Sequence, residues 1–231
     1  MDIEVLFEDN HLLFVNKPAG MLTQPNESHE KNLEEIAREY IKKKYNKPGA
    51  VFLHAVHRLD RQVSGIVLFA KTSKALSRLN ESLRNRTIKK QYIAICEGNC
   101  GTQPVILEHY LVHGEHLAKV TSKNAPGAKL SLLSYRVLEY RAKDNFSLLQ
   151  IDLESGRYHQ IRAQLAATHH PILGDHKYGS KQQFPNFPAI ALHHFQMELL
   201  HPVTQKELLV TIGPPSFWPV TINSISCILE H

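Results

Sequence analysis

Between Pro104 and Glu154 the chain runs through YLVH, LAKVTS, LSLLSYRVLEY and FSLLQIDLES, a β-rich stretch with no helical pattern in it. Two more strand candidates, Ile3 to Glu8 and His11 to Lys17, flank the turn-forming Asp9-Asn10, and PAG at 18 to 20 then breaks the pattern. Strands therefore come in runs before each helix, not in regular βα alternation. That order predicts an α+β fold: a single catalytic-size domain on a mixed, mostly antiparallel β-sheet flanked by helices and loops.

Three helices are expected. NLEEIAREYIKKKYN puts Leu33, Ile36, Ala37, Tyr40 and Ile41 on one apolar face, with Asn32 and Glu35 as an N-terminal capping pair. Lys42, Lys43 and Lys44 lie at the end where cations suit the helix dipole. A second helix is expected to be capped by Ser73 and to turn Leu76, Leu79 and Leu83 inward. A third should begin near Tyr158 and run toward His169. IVLFAK, QYIAICEG, IALHHFQMELLHP and ELLVTIGPP read as further strands. With no internal repeat, low-complexity tract or Ser/Gly linker, one continuous domain over residues 1–231 is expected.

Composition narrows the setting. A formal charge of +5 and a pI near 9.0 fit an anionic partner such as nucleic acid. Cys96, Cys100 and Cys227 are too few and too irregular for a disulfide framework or a zinc site, which favours a reducing compartment. No apolar run approaches the roughly 20 residues of a membrane span. The acidic, strand-like start MDIEVLFEDN is neither a signal nor a transit peptide, so no membrane partner and a cytoplasmic location are expected.

Three clusters could carry chemistry. HRLDRQVSG sets one carboxylate, Asp60, among His57, Arg58 and Arg61, directly before the apolar run IVLFA. A neighbouring arginine keeps a carboxylate ionised, which suits a nucleophile or base acting on an anionic substrate; a salt-bridged surface turn is the plainer reading. KKQYIAICEG places Lys90 and Tyr92 on one strand face. SGRYHQIRAQLAATHHPILGDHKYG carries His159 and Arg162 at i, i+3. Arg162 lies among apolar neighbours Ile161 and Leu165, so it needs a buried carboxylate or an anionic ligand, with Asp60 a natural candidate. The paired histidines lack zinc-site spacing, and adjacent strand residues point to opposite faces; no metal is expected. Phosphate-cradling GxxxxGK or GxGxxG motifs are missing as well.

Taken together, these motifs resemble those of the RluA-like pseudouridine synthases. HRLDRQVSG is similar to the family's catalytic signature, KKQYIAICEG to its Lys-x-Tyr-x-Ala strand, and SGRYHQIRAQLAATHHPILGDHKYG to its Gly-Arg-x-His-Gln-Ile-Arg helix with the His-Pro-Ile-x-Gly-Asp that follows. NKPAGMLTQP and ALHHFQMELLHPVTQKEL match in character and order. Val63 departs from the pattern, standing where many members have Thr. The resemblance implies a stand-alone catalytic domain without the N-terminal S4 domain of some relatives.

It also implies an isomerase that converts specific uridines of ribosomal or transfer RNA to pseudouridine, as a monomer with no cofactor. Asp60 would be the essential carboxylate, either attacking C1′ or assisting proton loss at C2′. Tyr92 would contact the base and serve the C5 proton step, and Arg162 would pair with Asp60. Arg58 would fill the space left by the flipped nucleotide, with His57, Arg61, Lys90 and His159 on the substrate side. The competing classes are a basic RNA-binding module without catalysis, and a glycosidic-bond hydrolase, which typically needs two carboxylates where only one stands in a catalytic-type motif here.

Overall fold

The computed structural model describes residues 3–27, 30–184 and 188–219, so Cys227 lies outside the described residues. The described chain gathers into two compact units. The first holds the chain up to Ile88 together with His194–Ile212, and the second holds Lys89–His193 and the segment from Gly213 onward.

In the first unit, β1 (Glu4–Glu8) pairs antiparallel with β2 (Leu12–Lys17), and β2 with β4 (Ser64–Ala70). A two-residue strand, β3 (His54–Ala55), which the sequence pattern did not reveal, pairs with the end of β4. From His194 onward β10 (Leu192–Leu200) belongs to this unit, and it makes a hairpin with β11 (Glu207–Thr211). All seven residues of β4 are buried, so its continuous apolar run SGIVLFA is a strand covered on both faces. Leu12, Phe14, Ile66, Leu68, Leu79, Met197 and Val210 form the core.

Helix α1 (Leu33–Lys44) is capped as expected, with Asn32 accepting from the Glu35 N–H at 3.2 Å. Its buried side includes Glu34, which the apolar pattern did not flag. That carboxylate stays inside because Gln24, Arg38 and the Ala55 N–H all donate to it. Helix α2 (Ser73–Arg84) is capped one residue earlier than expected: Thr72, in an extended conformation, accepts from the Ala75 N–H. Ser73 is the first helical residue instead.

The second unit orders its strands β5 (Lys89–Glu97), β9 (Phe146–Leu153), β8 (Lys129–Arg141), β6 (Val105–His113) and β7 (Ala118–Thr121), each antiparallel to its neighbour. Burial in the first half of β8 alternates residue by residue, as a sheet with one covered face requires. Helix α3 (Gln160–Ala167) contributes Ala163 to a small core with Leu111 and Ala118. It is shorter than expected. His159 is its N-cap residue, at φ 51° in the left-handed region, so His159 and Arg162 do not share a helical face. A single 3-10 turn, His176–Tyr178, follows.

Glu8 ties β1 to helix α1. Lys44 and Lys71 each reach it at 2.7 Å, and the Tyr40 and Tyr45 hydroxyls donate to it at 3.0 and 2.8 Å. Burial pulls the Glu8 carboxyl upward, but the hydrogen bonds from Lys44, Lys71, Tyr45 and Tyr40 outweigh it and bring it to about 2. With the folded value below the unfolded one, this stabilisation is complete above the ordinary value of 4.5 and is lost as pH falls toward about 2. Glu8→Gln should cost about 1–3 kcal/mol in urea unfolding at pH 7. The gap to the unsubstituted protein should narrow steadily on acidification; a gap independent of pH would contradict the assignment.

Candidate active site

The first unit carries His57, Arg58, Asp60 and Arg61, all on the loop between β3 and β4. This loop is fastened by backbone contacts on both sides of Asp60. Leu59 donates its N–H to the Thr23 hydroxyl at 3.1 Å and accepts from the same hydroxyl through its carbonyl at 2.9 Å. The Asp60 carbonyl accepts from the Val63 N–H at 3.0 Å, closing a turn. That bond is main-chain to main-chain, so a valine at 63 supports the turn without a hydroxyl. The Arg61 carbonyl accepts from the Gly20 N–H at 2.7 Å, and the Arg61 Nε donates to the Gly20 carbonyl at 3.0 Å. Gly20 holds φ 88°, which favours glycine over any residue with a side chain.

Lys17 joins these pieces, and sequence reading missed it. Its side chain is fully buried, and its ammonium donates to the carbonyls of Pro18, Met21 and Arg61 at 3.0, 2.8 and 3.3 Å. A lysine closing an apolar strand immediately before a proline-glycine turn was the available signal. Burial pushes Lys17 down to about 7; the charge of Asp60 opposes that shift and the charge of Arg61 adds to it.

The other residues of the loop differ in role. His57 Nε2 accepts from the Leu68 N–H at 3.2 Å, and its ring meets that of His194 edge-on at 5.4 Å. Arg61 pairs with Glu30 at 2.9 Å at the surface. Arg58 is exposed and Asp60 half-buried. Gly65, at the end of the motif, is sterically fixed. Its φ is +115°, and a Cβ there would lie 2.3 Å from the His194 carbonyl oxygen.

The second unit carries Lys90, Tyr92, His159 and Arg162. Lys90 and Tyr92 stand two apart on β5, as expected, with Tyr92 buried opposite Ile151. Lys90 Nζ lies beside Gly156, 3.4 Å from where a Cβ would stand. Burial lowers its pKa, against the pull of Glu154.

Arg162 was expected to need a carboxylate, and it holds one that the sequence reading had not singled out. Its Nε and Nη2 donate to the two oxygens of Asp175 at 2.7 and 2.9 Å. The side chains are 2% and 0% exposed. Asp175 is the acidic residue of HPILGD, and its place in a motif with the arginine helix was the only clue. Tyr178 stacks under the Arg162 guanidinium at 5.0 Å and meets His159 Nδ1 through its hydroxyl at 3.0 Å. Tyr158 stacks on the His159 ring at 3.8 Å, and His113 meets Tyr158 edge-on at 4.3 Å. An aromatic series thus runs from exposed Tyr158 to the buried ion pair.

His193 packs near Trp218, and His194 Nδ1 contacts the Ile66 carbonyl at 2.7 Å. Among the described residues no group of three or more His, Cys, Asp or Glu side chains is placed to hold a metal, and no helix is long and apolar enough to cross a membrane.

These two constellations, a pinned aspartate loop and an arginine helix with its own buried aspartate, define the class. Residues 11–167 match the RNA pseudouridylate synthase family, and the chain belongs to it; pseudouridine synthases are isomerases. An RNA pseudouridine synthase of Bacillus subtilis, YhcT, is 37% identical over 218 residues, covering 92% of this chain and 68% of that protein. The ribosomal large subunit pseudouridine synthase D of Nitrosomonas europaea is 33% identical, covering 90% of this chain and 60% of its own length. The chain thus spans about two thirds of these relatives. The tRNA pseudouridine synthase C of Pasteurella multocida is 28% identical, with 96% of each chain covered. Among solved structures, human RNA pseudouridylate synthase domain containing 4 superposes with a TM-score of 0.79 at 21% identity, covering 96% of this chain and 93% of that one. That likeness shows the same fold.

Two stability tests follow. Asp175→Asn leaves a buried guanidinium without its counter-charge and should cost about 3–5 kcal/mol, read as a fall in melting temperature. A melting temperature within error of the unsubstituted protein would show that the pair contributes nothing. For Lys17 the folded pKa lies below the ordinary 10.5, so the unfolded chain binds more protons between about 7 and 10.5. Its contribution to stability should therefore rise with pH across that window. In Lys17→Met that rise should flatten, and an unchanged pH profile of urea unfolding would refute the assignment.

Proposed function

We propose that this chain isomerises uridine to pseudouridine in ribosomal or transfer RNA, with Asp60 as the essential carboxylate. The observation that carries this reading is the fastening of the Asp60 backbone on both sides, through Leu59, Val63 and Arg61, while its side chain stays half-buried. A carboxylate held this way is positioned before substrate arrives, and that limits the reorganisation needed during reaction. The reaction breaks N1–C1′, keeps the uracil bound while it turns, and forms C5–C1′. The C5 proton is lost and N1 is left protonated, so the change is redox-neutral and needs no metal or added cofactor.

Asp60 acts at the ribose, by attack at C1′ or by assisting proton loss at C2′. Tyr92 contacts the base and serves the C5 proton step. Arg162, two of whose five N–H donors go to Asp175, serves in this reading as the cation that keeps Asp60 ionised. Arg58, exposed on the loop, occupies the space of the flipped nucleotide. His57, Arg61, Lys90 and His159 serve on the substrate side. In this reading both units belong to one catalytic domain over residues 1–231, acting as a monomer in the cytoplasm.

The test is carbodiimide-dependent primer extension on total RNA from cells with the gene, without it, and with Asp60→Asn. The near-isosteric amide cannot act as nucleophile or base. Specific stops should vanish both without the gene and in the variant, while the purified variant keeps its melting temperature and RNA affinity. Full modification by Asp60→Asn would overturn the role given to Asp60. Stops unaffected by deletion, with salt-dependent RNA binding intact, would instead favour a binding module.

A further inference from the structure

The reading above leaves two buried thiols of the second unit without a role. Cys96 lies near the end of β5, opposite Ser147 of β9 in register, so the two side chains share a face of the sheet. The chain then turns back at Gly98, which holds φ 84° and donates its N–H to the Asn145 carbonyl at 2.8 Å. Ser147 fixes the turn from beneath. Its hydroxyl donates to the Gly98 carbonyl at 2.8 Å and accepts from the Cys100 N–H at 3.0 Å. Cys96 and Cys100 are thereby gathered around one serine, Cys96 opposite it in register and Cys100 through its N–H. Both are free cysteines, 0% and 7% exposed.

The approach to this pair is one-sided. Asn99 and Gly101, on either side of Cys100, are exposed, and a Cβ at Gly101 would meet no atom within 4 Å. Cys100 thus sits under an exposed turn with a small part of its surface open, while Cys96 has none. The two thiols also differ chemically. The hydrogen bond from Cys96, helped by Ser147 and the charge of His170 and opposed by burial, brings Cys100 down to about 7. Burial pushes Cys96 well up. A thiol at the edge of the surface, ionised near neutral pH, beside a fully buried one is the division of labour between an attacking and a resolving cysteine.

We propose that Cys96 and Cys100 form a reversible intramolecular disulfide by exchange with a small disulfide such as oxidised glutathione. Cys100 loses its proton to solvent and attacks one sulfur of the small disulfide. The S–S bond breaks, and the departing thiolate takes up a proton. Cys96 then attacks the Cys100 sulfur, its own proton passing to the second departing thiolate. Two protein thiols are oxidised, and one small disulfide is reduced to two thiols. The bond closes the turn at one end of β5, the strand whose other end carries Lys90 and Tyr92.

The test uses the full chain in oxidised glutathione at neutral pH, followed by trapping of free thiols, trypsin digestion and mass spectrometry. Both cysteines fall in the single tryptic peptide from Gln91 to Lys119. The expected result is that this peptide becomes lighter by two hydrogens in most molecules, and that dithiothreitol reverses the change. In Cys96→Ala, Cys100 should instead accumulate a glutathione adduct. In Cys100→Ser, the peptide should stay unmodified while the protein is folded. The proposal is overturned if both thiols of the native protein remain fully trappable after oxidation. It is equally overturned if the bonds found join Cys227, or if Cys96 takes up glutathione as readily as Cys100.

Discussion

A single ammonium group organises the first unit's candidate site. Lys17 ends β2 with no exposed surface, and its three carbonyl acceptors come from Pro18 at the start of the PAG turn, from Met21 just after it and from the loop that carries Asp60. Three lone pairs meet three N–H donors, so a buried cation is satisfied without a bidentate counter-ion. The nearby charges act on it in opposite senses, Asp60 holding the proton on and Arg61 pushing it off. Removing the lysine would take one donor from each of three converging carbonyls, of which Arg61's would keep the Gly20 N–H. The hub therefore couples the shape of the Asp60 loop to the end of a core strand.

The second unit solves a similar problem with an ion pair. Arg162 and Asp175 are both out of solvent, a costly arrangement unless the geometry is bidentate and the surroundings complete it. The fork–fork contact meets the first condition, and Tyr178 contributes to the second by stacking on the guanidinium. Tyr178 is itself anchored, since its hydroxyl accepts from the Ala118 N–H at 2.8 Å. His159 gives up helical geometry to reach that hydroxyl. Its left-handed backbone starts the helix without a side-chain cap, and its ring lies between Tyr158 and Tyr178.

The sequence was most legible where one residue's environment depends on its neighbours in the chain. The cap at Asn32, the positions of most strands and the shared face of Lys90 and Tyr92 are of that kind, since each follows from period and propensity. The α+β class, too, follows from the order of strands and helices. What stayed hidden depends on distant partners. Motif position hints at Lys17 and Asp175, but no local pattern shows Lys17 as buried, Glu34 as an internal acceptor or Asp175 as the counter-ion of an arginine 13 residues earlier. The shift of the α2 cap from Ser73 to Thr72 has a local cause: either hydroxyl can cap, and the choice follows which residue is extended. His159 eluded the i, i+3 rule because a tertiary contact placed it just outside the helix.

These arrangements share one consequence for chemistry. Each proposed reacting group sits on, or directly beside, an element whose backbone has little freedom. β4, which follows the Asp60 loop, is buried along its whole length, and at Gly65 it approaches the His194 backbone too closely for any side chain. Tyr92 lies within a buried stretch of β5 whose pairing with β9 is unbroken from Gln91 to Glu97. In such frames a bound nucleotide can reorient against groups that do not. The proposed isomerisation would need that asymmetry: a uracil that turns against groups that keep their places. The exposed cations, Arg58 among them, are by contrast on surfaces where a long side chain can follow the RNA.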